Sequence, residues 1–236
     1  MSQYNRRAGQ NVRTLAVKRR MKAIASFTSA ILVIVLPLYL VKAFENLLKQ
    51  TSALSPTKTP ATLNLPPGVY FLLAVVALSF VVNGYFLWKK ADRADQGAKG
   101  EEDTAKELVQ LEKEGWQIEY GMYLGNKLGD ADIVCISPQA KAFVIDVKSH
   151  RGKIIVQEKQ LARRMGNVIH PFEKDFVSQA MKQALQVKKQ KNLKFVTPIV
   201  AFSQAKVSVP NGKLQNVYVV EKSRLVGLLK SLNHQE

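Results

Sequence analysis

The sequence predicts an α/β domain with a central sheet, carried behind two apolar helices. Two uncharged runs lie near the N-terminus, AIASFTSAILVIVLPLYLV (23–41) and LPPGVYFLLAVVALSFVVNGYFLW (65–88). Each approaches or exceeds the roughly 20 residues a helix needs to cross a hydrocarbon core. Beyond them, short apolar strand-like runs are bracketed and interrupted by amphipathic helical patterns, the order expected of a sheet with helices packed on it.

The first apolar run contains Pro37, which bends a membrane helix without forbidding it. Tyr39, Tyr70, Tyr85 and Trp88 stand near the run ends, where amphipathic rings favour the headgroup region. A cleaved signal peptide explains the first run less well, because the run is long and a second follows. Basic residues set the expected orientation. Arg6, Arg7, Arg13, Lys18, Arg19, Arg20 and Lys22 precede the first run, and Lys89, Lys90, Arg93 and Lys99 follow the second. The segment between holds only Lys42, Lys49 and Lys58. The positive-inside rule then places both termini in the cytoplasm and a short loop outside. The expected division is a basic N-terminus (1–22), a two-helix anchor (23–88), a polar linker (89–99) and a cytoplasmic domain (100–236).

Net charge is +17, which favours an anionic partner, either nucleic acid or a lipid surface. From Lys89 onward the excess is +8, with 25 basic and 17 acidic residues; the rest reports topology. The single cysteine, Cys135, excludes an internal disulfide and lies in the apolar run DIVCI as a small core residue.

Within the C-terminal domain, GEEDTAKELVQLEKEG reads as a helix with Ala105, Leu108, Val109 and Leu111 on its apolar stripe, ended by Gly115. WQIEYGMYL, ADIVCIS, AKAFVIDVK and GKIIVQ follow as four strands. EKDFVSQAMKQALQVKKQK is a helix with Phe176, Val177, Ala180, Met181, Ala184 and Leu185 on one face. FVTPIVAFS and NVYVVE are further strands, and SRLVGLLKSL is a closing helix.

The strand FVIDVK poses a question, because Asp146 and Lys148 share one face of an apolar run. An edge ion pair is one explanation. The other is a site completed from elsewhere. Asp130 and Asp132 open the preceding strand, which a meander would lay beside Asp146. Glu101 projects towards the apolar stripe at a helix start, where a carboxylate is unusual unless paired or binding something. Two or three carboxylates beside one lysine suit a hard divalent cation, Mg²⁺ or Mn²⁺.

GAKGEED followed by LGDADIVCISPQAKAFVIDVKSHRGKI resembles the NERD (nuclease-related) domain, of the PD-(D/E)xK nuclease-like superfamily. Gly97, Gly100 and Glu101 match its GxxGE helix start, Asp132 its strand aspartate, Asp146 and Lys148 its acid-x-lysine, and Gly152 its trailing glycine. HPF at 170–172 resembles the start of the family's next helix. Asp146 departs from the glutamate common in the family. The resemblance, over roughly 97–205, implies a restriction-endonuclease-like mixed sheet flanked by helices. It also implies a metal held by Asp132, Asp146 and the Val147 carbonyl, with Glu101 completing the site and Lys148 assisting the attacking water. The implied reaction is hydrolysis of phosphodiester bonds in DNA, or in RNA. A nuclease-like fold that only binds nucleic acid or protein is the alternative.

Other residues carry weaker expectations. Asp130 shares strand parity with Asp132, but a solvated turn aspartate is the simpler explanation. His150, Arg151, Lys153, Lys182 and Lys189 are candidate nucleic-acid contacts, against an ordinary solvated surface. Gln179 and Gln183 read as helix-edge glutamines rather than groups in a cleft.

Overall fold

A computed structural model of the chain describes residues 7–52, 64–125 and 128–234. Arg6, Lys58 and the central part of the expected external loop (53–63) lie outside the described residues. The chain divides into two compact units, one of Met1–Thr14 with Ala94–Glu236, the other of Leu15–Arg93.

The second unit comprises parts of two helices, α1 (Gln10–Ser52) and α2 (Pro67–Lys113). Both are long and apolar enough, by length and composition, to cross a membrane. Many of their large apolar side chains are exposed, including Ile31, Leu32, Phe71 and Leu78. Ser26 Oγ donates to the Phe80 carbonyl at 2.8 Å and accepts from Asn83 Nδ2 at 3.2 Å. Gly84 lets the two helices close up: a Cβ there would lie 2.6 Å from the Phe27 ring. Residues 89–99, expected as a linker, are helical in α2; no proline or run of helix breakers interrupts ADRADQGAK.

The first unit is built on a mixed sheet in the order β1-β2-β3-β6-β8-β7. Its strands are β1 (Gln117–Tyr123), β2 (Asp130–Ile136), β3 (Ala142–Gln157), β6 (Val196–Val207), β7 (Lys213–Leu214) and β8 (Val217–Glu221). β3, β6 and β8 run parallel; β1, β2 and β7 pair antiparallel. The two strands expected at AKAFVIDVK and GKIIVQ are one continuous β3. Its register against β6 shifts between Lys148 and Arg151, a bulge that bends the strand instead of ending it. A hairpin of β4 (Gln160–Met165) and β5 (Val168–Pro171) extends from the far half of β3. HPF therefore does not start a helix: Pro171 ends β5, and α3 (Phe176–Gln190) begins after Asp175, whose carboxylate accepts the Ser178 N–H at 3.0 Å as an N-cap.

Helices cover both faces. α4 (Lys222–His234) and the end of α2 pack Leu225, Leu229, Leu108 and Leu111 onto Ile133, Phe143, Ile145 and Ile199. α3 covers the other face, with Ala180 and Phe176 against Val200 and Phe202, and Ala184 against Val144. Two expected stripe residues are misplaced: Val109 and Leu185 are exposed, while Thr104 and Gln183 are buried instead. Cys135 is buried in the core as expected.

Candidate active site

The β2–β3 ladder pairs Ile133 with Ile145. The ladder ends there, and Asp132 and Asp146 are the next residues of the two strands, on the face of the sheet opposite to Ile133 and Ile145. Asp132 is fully buried near a like charge, and burial and then Asp146 disfavour its ionised form. Asp132 Oδ2 accepts the Val147 N–H at 2.7 Å, which ties it across the strand gap. Asp146 is 1% exposed and stands over the face covered by α3. The Lys148 ammonium lies 2.9 Å from its Oδ1 and 2.7 Å from its Oδ2. One ammonium thus engages both carboxylate oxygens. Lys148 is steadied from below by the Phe176 ring, 4.8 Å from its Nζ to the ring centre.

Glu101 arrives from α2. The helix comes unusually close to the sheet at Gly100, where a Cβ would meet Ser149 Oγ at 2.0 Å and Ser203 Oγ at 2.7 Å. That is a physical reason for a glycine directly before the glutamate. Thr104 Oγ1 bonds back to the Gly100 carbonyl at 2.7 Å within the same buried turn. Gly152 has its own reason: φ is +102° and a Cβ would lie 2.7 Å from the Arg164 carbonyl in β4.

Electrostatics bind these groups together. Burial is the main cause that pushes the Glu101 carboxyl up to about 7, and the charges of Asp146 and Asp130 add to it. Asp132 is raised by burial and then by Asp146 and Glu101. Asp146 is raised by burial against the opposing pull of Lys148 and Gln183. Three carboxyls held in one another's field, each disfavouring its neighbours' charge, form an acidic pocket with one ammonium in it. Among the described residues no three Asp, Glu, His or Cys side chains are already gathered as a metal cage.

The glutamines belong to this pocket, contrary to the edge-of-helix expectation. Gln179 Nε2 lies 3.4 Å from Asp146 Oδ1, and Gln183 Nε2 donates to the Asp130 carbonyl at 3.3 Å. Gln183 is 1% exposed, and its Oε1 is buried without a partner. A polar residue within the apolar stripe of α3, one turn beyond Gln179, was the available signal. The N-terminal segment also reaches the pocket. The Gly9 N–H donates to Glu101 Oε2 at 3.2 Å, Asn11 Nδ2 to Asp130 Oδ2 at 2.6 Å, and Arg13 pairs with Glu102 at 2.9 Å. Asp130 is thus a partnered side chain beside the pocket and not a solvated turn residue. Nothing in the sequence pattern announced these contacts.

The expected nucleic-acid contacts are dispersed. His150 is half-buried and stacks on Phe176 at 5.5 Å and against Phe172 at 4.8 Å, its pKa lowered first by burial. It is not the surface-loop histidine expected. Lys182 and Lys189 are exposed on α3. Arg151 and Lys153 alternate with His150 and Ile154 along β3, so they face away from α3 and from Asp146.

A mixed sheet with aspartates on adjacent strands, an acid-x-lysine pair on its central strand and a glycine-glutamate helix start defines a nuclease-like α/β domain. The model of the nuclease-related domain family, NERD, matches residues 96–203, and that part of the chain is similar to a nuclease-related domain. No match emerges among curated proteins or among solved structures.

Proposed function

We propose that the chain is a membrane-anchored, metal-dependent nuclease that hydrolyses phosphodiester bonds in DNA, or in RNA, on the cytoplasmic side. The observation that carries the reading is the acidic pocket. Asp132 and Asp146 stand on adjacent strands with Glu101 nearby; burial raises the pKa of all three, and the charge of Asp146 adds to it at Glu101 and Asp132. The Lys148 ammonium offsets part of that repulsion, and a divalent cation would offset the rest.

The donor set suits Mg²⁺ or Mn²⁺: oxygen ligands only, and an excess of acid over base. Asp132, Asp146 and the Val147 carbonyl would hold the ion. Bound there, it would stabilise charge on a phosphate and acidify a water molecule. The protein side chains have separate tasks. Lys148 supplies a fixed positive charge to a phosphate oxygen or an attacking water. Gln179 and Gln183 hold Asp146 and the start of β2 in place. Glu101, with a carboxyl near 7, can hold or release a proton at neutral pH.

The alternative is a nuclease-like module that binds without cleaving. It is favoured by one observation, that the carboxylates are already engaged by Lys148, Val147 and Gly9 and not gathered on one point. The anchor reading rests on two long apolar helices whose large side chains are exposed, and the orientation on the basic residues flanking both runs.

The test uses the full chain in detergent, because Gly9 and Asn11 belong to the same unit as the pocket. Labelled DNA and RNA are incubated with Mg²⁺, Mn²⁺ or EDTA, alongside Asp146→Asn. Cleavage that needs metal and is lost in the variant supports the nuclease. Metal-independent binding without cleavage supports the module. Reporters fused at both termini check the orientation; an external C-terminus would overturn it.

A further inference from the structure

Opposite the acidic pocket, the sheet carries a second charged surface. Lys153 on β3 pairs directly with Arg164 on β4 and with Lys206 on β6. Three like charges therefore stand in one row across three strands, spaced about 4.8 Å apart from strand to strand. Arg151 lies two residues along β3 on the same side, held by Gln204 Oε1 at 3.1 Å. All four are exposed, and among the described residues none makes an ion pair with a carboxylate. Directly opposed like charges destabilise a sheet. An anionic surface would turn that cost into attraction.

The neighbouring hairpin says which surface. Arg164 leads into the β4–β5 turn, whose tip exposes Met165, Val168 and Ile169 at 47%, 57% and 40%. Ile169 pairs with Arg164 on the face of the cations, while Met165 and Val168 pair on the other face, so the tip is apolar on both sides and would enter a bilayer end-on. An apolar tip beside a row of cations is poorly suited to a phosphodiester backbone, which offers nothing to the methionine, valine and isoleucine. It matches a bilayer, where the apolar tip enters the acyl boundary and the cations meet anionic headgroups. We infer that the β4–β5 hairpin with the Arg164–Lys153–Lys206 row is a lipid-docking surface, which binds the face of an anionic bilayer and is separate from the acidic pocket. Each basic residue near an anionic leaflet adds about fivefold to the partition, and that gain is lost when salt shortens the screening length.

The surface does not depend on the nuclease reading, but it takes from the anchor reading that a bilayer is at hand. The experiment keeps the two apart. Val168→Cys is labelled with an environment-sensitive fluorophore in the full chain; the natural Cys135 is buried and unreactive. The labelled chain is reconstituted into nanodiscs of phosphatidylcholine alone, or with phosphatidylglycerol added. Co-elution with the disc reports the anchor, and probe emission reports the hairpin. The expected result is a blue shift and several-fold brightening only with phosphatidylglycerol. It should be quenched by lipids brominated in the acyl chain, reversed by high salt, and abolished by Lys153→Glu with Arg164→Glu. Those changes are at exposed positions and leave the core intact; they exchange one like-charge pair (153 with 164) for another and make the 153–206 pair attractive. Equal emission in both lipids overturns the inference. So does a shift produced by an oligonucleotide in phosphatidylcholine discs, which would assign the row to nucleic acid.

Discussion

Lys148 and Asp132 are two charged residues whose removal should have opposite effects on stability. Lys148 is the ammonium that faces Asp146, itself 1% exposed. Lys148→Ala leaves that carboxylate buried alone, which typically costs about 3–5 kcal/mol, less whatever the carboxyl recovers by taking up a proton. Asp132 has no ammonium of its own, and an asparagine oxygen can still accept the Val147 N–H. Asp132→Asn should therefore raise the metal-free Tm while removing any Mg²⁺-dependent rise. Thermal melts with Mg²⁺ and with EDTA decide it. A fall in metal-free Tm for Asp132→Asn would mean that the acidic pocket is not strained. At the same scale, Glu101 sets a pH dependence. Its carboxyl titrates near 4.5 when unfolded and near 7 when folded. Between those values the folded state holds more protons, so metal-free stability should fall as pH rises from about 4.5 to about 7 and then level off. Asp132 and Asp146 act in the same direction. Glu101→Gln should make the fall shallower, and an unchanged slope would remove Glu101 from the pocket.

Among the elements, the position of α2 depends on the absence of one side chain. Gly100→Ala would force a methyl group to within 2.0 Å of Ser149 Oγ. Overpacking of this kind costs about 1–3 kcal/mol, and here it would also lift Glu101 away from β3. Gly100→Ala should lower Tm, together with the cleavage proposed above, and adding Ser149→Gly should restore part of each. If the double variant melts no higher than Gly100→Ala, the close approach is not what the glycine serves. The bulge in β3 is a second device at this scale. It follows Lys148 immediately, so the strand bends just past the pocket and continues into the β4–β5 hairpin.

Across the whole molecule, the first described residues fold with the far C-terminal unit. The Gly9 N–H lowers the Glu101 pKa against burial. A fragment beginning at Lys89 lacks that donor, and its Glu101 should titrate higher than in the full chain. An NMR titration of the glutamate carboxyls in both forms checks this. Coincident values would show that the N-terminal segment does not govern the pocket.

The sequence by itself determined both apolar runs, the α/β character, and the order glycine-glutamate, strand aspartate, acid-x-lysine. These are local properties: length without charge, alternation along a strand, and residue types at fixed spacing. The two long helices and every expected strand are present, although the first two pieces of β3 are joined. Only the tertiary structure decided which neighbours those residues have. Gln183 looked like an edge residue by angle on the helix, but α3 is rotated so that Leu185 is exposed and Gln183 is buried. Arg151 and Lys153 looked adjacent to the pocket by number, but strand alternation carries them to the opposite face. Gly9 and Asn11 meet Glu101 and Asp130 from 92 and 119 positions away. Periodicity describes how a segment presents its own sides; it holds no information on which distant segment is folded against them.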